Sequence, residues 1–377
     1  MPISLKKISL YTLLIAVIAC NSNKKDKPEE IKEVDKKVST SAENLLHNIK
    51  LISQKGFAIG HQDATSYGLG WNYRNDTLQI KSDIQTVVND FPAVFGFDIG
   101  HLELGNTHNL DSVSFNHMRT LMLDAYKKGG IITVSWHLDN PTSGGDSWDK
   151  TPAVSDIISG GKHHEKYKEW VAQIADFFKS VTVDKEPIPI VFRPFHEMNG
   201  GWFWWGEGNC SAEDYKTLWK ETVNLLRNEH KLDNLLYAYS PNKLNPNDDY
   251  LKYYPGDEYV DMLGIDIYDF DNADDYIKSL KHDLAIVKQI ATEKQMPYAF
   301  TETGNETLNT PNWFTEVLYP NIKDTGIAWV LFWRNHSDTH HYMTFKEHSS
   351  EADFKIFYDL PQTLFLHNTN TIINPQQ

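Results

Sequence analysis

Cysteine is scarce in this chain: 377 residues hold two, Cys20 and Cys210. Positive charge is short as well, with 36 Lys and Arg against 51 Asp and Glu and a net charge of −15. That balance argues against nucleic acid or an anionic lipid surface as partner, and for a neutral or cationic ligand. Beyond the extreme N-terminus no apolar run is long enough to cross a membrane. No phosphate loop or dinucleotide fingerprint occurs, and no repeat or low-complexity insert interrupts the chain. What remains is globular: 40% hydrophobic and 12% aromatic, with 11 tryptophans that gather around one segment.

The first twenty residues read as a signal peptide. Lys6 and Lys7 form its basic start, Leu10 to Ile18 its short apolar stretch, and Ala19 precedes Cys20. The segment VIAC (17–20) resembles a bacterial lipobox, which implies that Cys20 becomes the lipidated N-terminus. Residues 21–40 are charged and poor in apolar groups, as suits a flexible tether. The expected division is therefore a leader over 1–20, a tether over 21–40 and one domain over 41–377. Placement would be the bacterial cell envelope, lipid-anchored at the outer membrane, or the exterior after secretion. With Cys20 acylated, Cys210 has no partner for an internal disulfide, and its loop context marks it as an incidental small residue.

From residue 41 the pattern alternates. Near-continuous apolar runs at 56–61, 93–98, 130–136, 188–194, 234–239, 260–267, 297–302 and 326–333 have the character of strands buried on both faces. Helical patterns lie between them at 79–90, 111–128, 165–180, 212–230, 272–295 and 311–323, with a leading helix at 41–54 and a closing one at 351–366. Ser211 stands as an N-cap with Asp214 in the capping-box position. Eight strands alternating with helices predict an α/β fold of the (β/α)8 barrel type.

Two glutamates stand out by context. Glu197 lies in FRPFHEMNGGWFWWG (192–206), after the fourth strand, and Glu302 in PYAFTETG (297–304), at the end of the seventh. In a parallel α/β enzyme the C-terminal strand ends are where chemistry gathers. Two carboxyl groups across a cleft are the apparatus that cuts a glycosidic bond: one protonates the leaving oxygen, the other attacks the sugar carbon or activates water. His196-Glu197 also invites a zincin reading, but the second histidine that motif needs would fall at Gly200. The pairs His163-His164 and His340-His341 read as solvated loop residues. No metal or cofactor is expected.

Taken together, RPFHEMNGGWFWWG, the later TETG, SWHLDNP (135–141) and GIDIYD (264–269) resemble glycoside hydrolase family 26, over roughly residues 45–365. The resemblance implies a β-mannanase fold and chemistry, with Glu197 as acid/base and Glu302 as nucleophile. For retention of configuration the two carboxyls should lie about 5–5.5 Å apart. The acid needs a raised pKa, for which burial by Phe195, Trp202 and Trp204 and the nearby nucleophile would serve. The nucleophile needs donors, and Arg193 and Tyr268 are the candidates. His196 would orient the site. Trp202 and Trp333 resemble stacking platforms, and His137 and Tyr268 match positions close to the sugar at the cleavage point. His101, Trp148 and Arg334 are assigned to the adjacent subsite. Trp204 and Trp205 stand between site and core, and Trp219 reads as core. Asn199 has two readings, a bond to the sugar 2-hydroxyl or a brace of its loop. The function implied is a retaining endo-β-1,4-mannanase acting on mannan, glucomannan or galactomannan as a monomer. Alternatives are a β-1,3-1,4-glucanase or β-1,3-xylanase with the same mechanism, or a surface lipoprotein that only captures glycan.

Overall fold

The computed structural model describes residues 38–72, 80–270 and 272–374. Eight parallel strands follow one another round a ring: β1 (Phe57–Gln62), β2 (Val94–Asp98), β3 (Ile131–Trp136), β4 (Ile190–Pro194), β5 (Leu235–Tyr239), β6 (Met262–Asp269), β7 (Tyr298–Asn305) and β8 (Trp329–Phe332). β8 returns to pair with β1, Ala58 opposite Trp329 and His61 opposite Phe332, so the sheet closes into a (β/α)8 barrel. Every expected strand is present within three residues of its expected limits.

Side chains alternate across the barrel wall. Val94, Val191, Leu236, Ala238, Met262, Ala299 and Leu331 share one buried cluster, which the helix Thr40–Ser53 joins through Ile49 and Ile52. Phe95, Val134, Phe192, Tyr237, Ile265, Phe300 and Phe332, each one residue out of phase, belong to a second and larger cluster between strands and helices. The inner face is apolar at the N-terminal end and turns polar towards the other end, where Asp98, Ser135, Arg193, Ser240 and Asp266 are all buried.

β7 breaks the alternation at the place that matters. Ile265 of β6 lies opposite Phe300, but the next residue, Asp266, lies opposite Glu302. Against β8, Phe300 pairs with Val330 and Thr303 with Phe332. Thr301 is thus an extra residue, a β-bulge. In plain alternation Ala299 and Thr301 would face inward and Glu302 would face the helices. The bulge turns both Thr301 and Glu302 inward, while Thr303 faces outward and meets the Tyr276 hydroxyl at 2.7 Å. Gly264 makes room for it, because a Cβ there would sit 2.5 Å from Thr301 Oγ1.

The signal peptide, Cys20 and the tether up to residue 37 lie outside the described residues. The first helix begins at Thr40, with Ser39 Oγ accepting from the Ala42 amide at 3.3 Å. Ser211 caps Ala212–Asn224 through the Asp214 amide at 3.0 Å, and a wider π turn continues that helix over Leu225–Glu229. The expected closing helix over 351–366 is not one element. Glu351–Tyr358 stops before Pro361, which cannot continue a helix and biases the residue before it to extended backbone. Thr363–Leu364 then adds a short parallel strand to β1 before a last helix, Leu366–Ile373. Among the described residues no helix is long and apolar enough to cross a membrane.

Candidate active site

The polar end of the barrel converges on three carboxyl groups. Glu197, Asp266 and Glu302 are buried and place oxygen atoms within 4.8 Å of one another. At an effective dielectric constant of 20, two unit charges at that distance repel by roughly 3 kcal/mol, so the cluster needs a cation, a proton or both. The cation is Arg193. Its Nη1 donates to Asp266 Oδ2 at 2.9 Å and to Ser240 Oγ at 3.0 Å, and its Nη2 donates to Glu302 Oε1. Tyr268 donates its hydroxyl to the other Glu302 oxygen at 2.7 Å. Glu302 is therefore gripped on both oxygens, the setting that stabilises a carboxylate anion.

Glu197 meets only neutral donors. Trp202 Nε1 lies 2.9 Å from Oε2, and Asn242 Nδ2 lies 2.8 Å from Oε1. Burial, then the charges of Asp266 and Glu302, push its pKa well above the ordinary carboxylate range. Asp266 is pushed up to about 8, chiefly by burial, with Arg193 pulling the other way. Arg193 bonds Asp266 directly whereas Glu197 has no cation on it, so Glu197 is the carboxyl of the cluster with the least support for a charge.

Local backbone supports this placement. The turn after β4 holds Phe195 at φ 48° and Glu197 at φ 55°, left-handed conformations that cost non-glycine residues roughly 1 kcal/mol each. The Glu197 amide is tied to the Ser240 carbonyl at 2.8 Å. Asn199 braces the neighbouring loop: Nδ2 donates to the Asn242 carbonyl at 2.8 Å, and the Asn242 amide returns a bond to Oδ1 at 2.7 Å. These contacts are those of the brace reading, and they fix the backbone of Asn242, whose side-chain amide bonds Glu197.

His137 follows β3 and faces the cleft. Its Nδ1–H donates to Asp98 Oδ2 at 2.7 Å, which leaves Nε2 towards the opening. Burial alone would raise the Asp98 pKa, but His137, Ser135 and the Gly100 amide outweigh it and hold the carboxyl ionised. His196 is buried edge-on to His137 with ring centres 4.6 Å apart. Burial, then Arg193 and His137, keep its pKa well below the usual imidazole value, so it is neutral. Trp148 stacks on His137 at 5.5 Å. Together with Trp202, Phe203, Tyr268, Phe270, Trp333 and Tyr342 these groups line an open cleft of about 170 Å³ over the two glutamates.

Two residues assigned from sequence lie off that lining. His101 faces Asp139 at 3.5 Å, and Arg334 forms an ion pair with Asp111. Phe195 is buried, but in the outer layer against Trp136, Trp205, Tyr215 and Trp219. Trp204, Trp205 and Trp219 are wholly buried and serve as core, with their indole N–H groups on the carbonyls of Leu138, His196 and Tyr259. His341 is buried, not solvated, with its ring edge-on to Phe345 and to His348. Burial pushes the Cys210 thiol up to about 12, which leaves it inert as a nucleophile.

Asp266, Asn242, Ser240 and Asp98 were not singled out from the sequence. Asp266 had a signal, a carboxylate inside an apolar strand run at an inward position, since a buried charge demands a partner. Asn242, three residues past a strand end, carried none.

The sequence signature of glycosyl hydrolase family 26 matches residues 34–315. A β-mannanase of that family from Bacteroides ovatus superimposes with a TM-score of 0.85 at 40% identity, covering 90% of this chain and 98% of that one. The catalytic domain of an endo-β-1,4-mannanase from Bacillus sp. JAMB-750 gives 0.81 at 33% identity, covering 94% and 99%. A mannan endo-1,4-β-mannosidase of Bifidobacterium adolescentis is 33% identical across 90% of this chain, which spans only 36% of that longer protein. With the signature covering most of its length and the barrel shared with those enzymes, the chain belongs to glycosyl hydrolase family 26.

Proposed function

We propose that the protein is a retaining endo-β-1,4-mannanase. The observation that carries this reading is the asymmetric pair in the cleft: Glu302 gripped by Arg193 and Tyr268, and Glu197 buried, favoured in its protonated form and with a carboxyl oxygen within 4.8 Å of one of Glu302. That closeness suits a double displacement, in which the carboxyls stand about 5–5.5 Å apart, better than the wider gap an inverting pair keeps for its water. Glu302 attacks the anomeric carbon as the bond from that carbon to the leaving oxygen breaks, and Glu197 delivers its proton to that oxygen. Glu197, now the base, takes a proton from water; the water oxygen bonds the anomeric carbon and Glu302 leaves as carboxylate. The anomeric configuration is retained.

Mannan as substrate is supported by the relatives above and by His137, which lines the cleft and is held by Asp98 through Nδ1, leaving Nε2 to meet a sugar hydroxyl. The site is complete within one chain, in keeping with a monomer. The lipobox supports a lipid-anchored envelope protein. Timed product analysis on mannan, β-1,3-1,4-glucan and β-1,3-xylan, for wild type and Glu302→Ala, tests the whole reading. Mannan should be cut best, into internal fragments, and the variant should be inert. Normal mannan hydrolysis by Glu302→Ala would overturn the assignment.

A further inference from the structure

Among large apolar side chains of the described residues, Leu104, Trp148, Phe270 and Ile356 are exposed, and Phe270 most of all at 70%. Two of these four, Trp148 and Phe270, line the cleft. Both are aromatic, and each lies against a ring that is itself fixed. Trp148 stacks on His137, interplanar angle 16°, and His137 is held by Asp98. Phe270 stacks on Tyr268 with ring centres 5.8 Å apart and an angle of 23°. Tyr268 is pinned by its bond to Glu302 and by the edge of Tyr342 at 5.4 Å. Phe270 is therefore an open apolar face on a rigid support, although leaving a phenyl ring in water forgoes roughly 1.5–3 kcal/mol of burial.

The strand order divides the cleft into two sides. Glu197 follows β4 and Glu302 lies on β7, so the pair divides the ring of strands into two arcs. His137, Trp148 and Trp333 come from the arc β8–β1–β2–β3, whereas Tyr268 and Phe270 come from β5–β6. We propose that the sugar that becomes bound to Glu302 lies with His137 and Trp333, that the departing chain runs over the other arc, and that Phe270 is a stacking platform for the leaving-group sugar, setting how strongly the enzyme holds substrate and acceptor beyond the point of cleavage. Phenylalanine has no polar tip, so the contact it offers is to the C–H face of a pyranose. This rests on the reading of the cleft as a mannan-cleaving site.

The test compares two substrates of wild type, Phe270→Ala and Phe270→Trp. β-1,4-Mannopentaose extends over the β5–β6 arc, while β-mannobiosyl fluoride loses only a fluoride ion, too small to reach the ring. Phe270→Ala should lower kcat/KM on the pentaose about tenfold, the worth of one aromatic contact, and leave the fluoride unchanged. Phe270→Trp should restore the pentaose value. With the fluoride as donor and excess mannobiose as acceptor, an acceptor hydroxyl gives its proton to Glu197, bonds the anomeric carbon and displaces Glu302. Phe270→Ala should reduce this transfer relative to hydrolysis. An equal loss on both substrates would mean the ring merely props Tyr268, and no loss on either would mean it is bystander surface; both overturn the proposal. A wild-type protein inert on both substrates would instead overturn the mannan-cleaving reading beneath it.

Discussion

Arg193 ties together two of the three carboxyls, and the division of labour between the glutamates follows from what it does not touch. Glu197 keeps its proton because burial and the charges of Asp266 and Glu302 act on it with no cation bonded to it. Asp266→Asn removes one of those charges, so the Glu197 pKa falls. Since the acid must be protonated for the first step, the basic limb of kcat/KM should move to lower pH, by on the order of one unit. A pH–rate profile on mannan checks this, and a limb that stays put or moves up contradicts it. The same raised pKa has a stability signature. The folded state holds the proton more tightly than the unfolded chain, whose glutamates titrate near about 4.3, so wild-type stability falls as pH rises above that value. Glu197→Gln lacks this loss, and its Tm relative to wild type should climb steadily from acidic to neutral pH. A constant offset would contradict the assignment of the proton. Tyr268→Phe deletes a donor to the proposed nucleophile and should lower kcat roughly 10–100-fold, as expected for a hydrogen bond to a charged group.

β7 shows how far a strand can be read from sequence. The apolar run 297–302 announced a buried strand, and TETG marked Glu302 as its functional end. Alternation alone, however, points Glu302 at the helices. The bulge at Thr301 is invisible to periodicity, because it depends on the space left by Gly264 on the neighbouring strand. Asn242 escaped notice for a related reason: it is positioned by Asn199 across more than forty residues of chain, and no local pattern encodes that contact. Trp202 was legible as a site residue by its distance from Glu197, but not as a hydrogen-bond donor to it. Gly264→Val tests the bulge directly, because its side chain would take the space that Thr301 occupies. The variant should keep the barrel, seen as an unchanged far-ultraviolet circular dichroism spectrum, and lose most of its activity as Thr301 and Glu302 are displaced. A folded, fully active variant would mean that Glu302 reaches the cleft without that space.

The barrel as a whole was legible because both its faces are apolar, so eight runs and eight gaps sufficed. The chain's last segment was not, since Pro361 breaks what looks like one helix and sends Thr363–Leu364 to β1 instead. That strand and the helix after it cover the N-terminal end of the barrel, far from the glutamates, with Leu364, Phe365 and Leu366 all buried. Ending the chain at Leu360 should cost several kcal/mol at roughly 1.5–3 per buried side chain, lowering Tm on the order of 10 °C. kcat at 25 °C should survive in the fraction that stays folded. The decisive observation is which carboxylate bonds the sugar. Peptide mass spectrometry after inactivation with a 2-deoxy-2-fluoro-β-mannobiosyl fluoride reads this out. A single glycosyl adduct on Glu302 is the predicted result, and an adduct on Glu197 or Asp266, or undiminished turnover with no adduct, would contradict it.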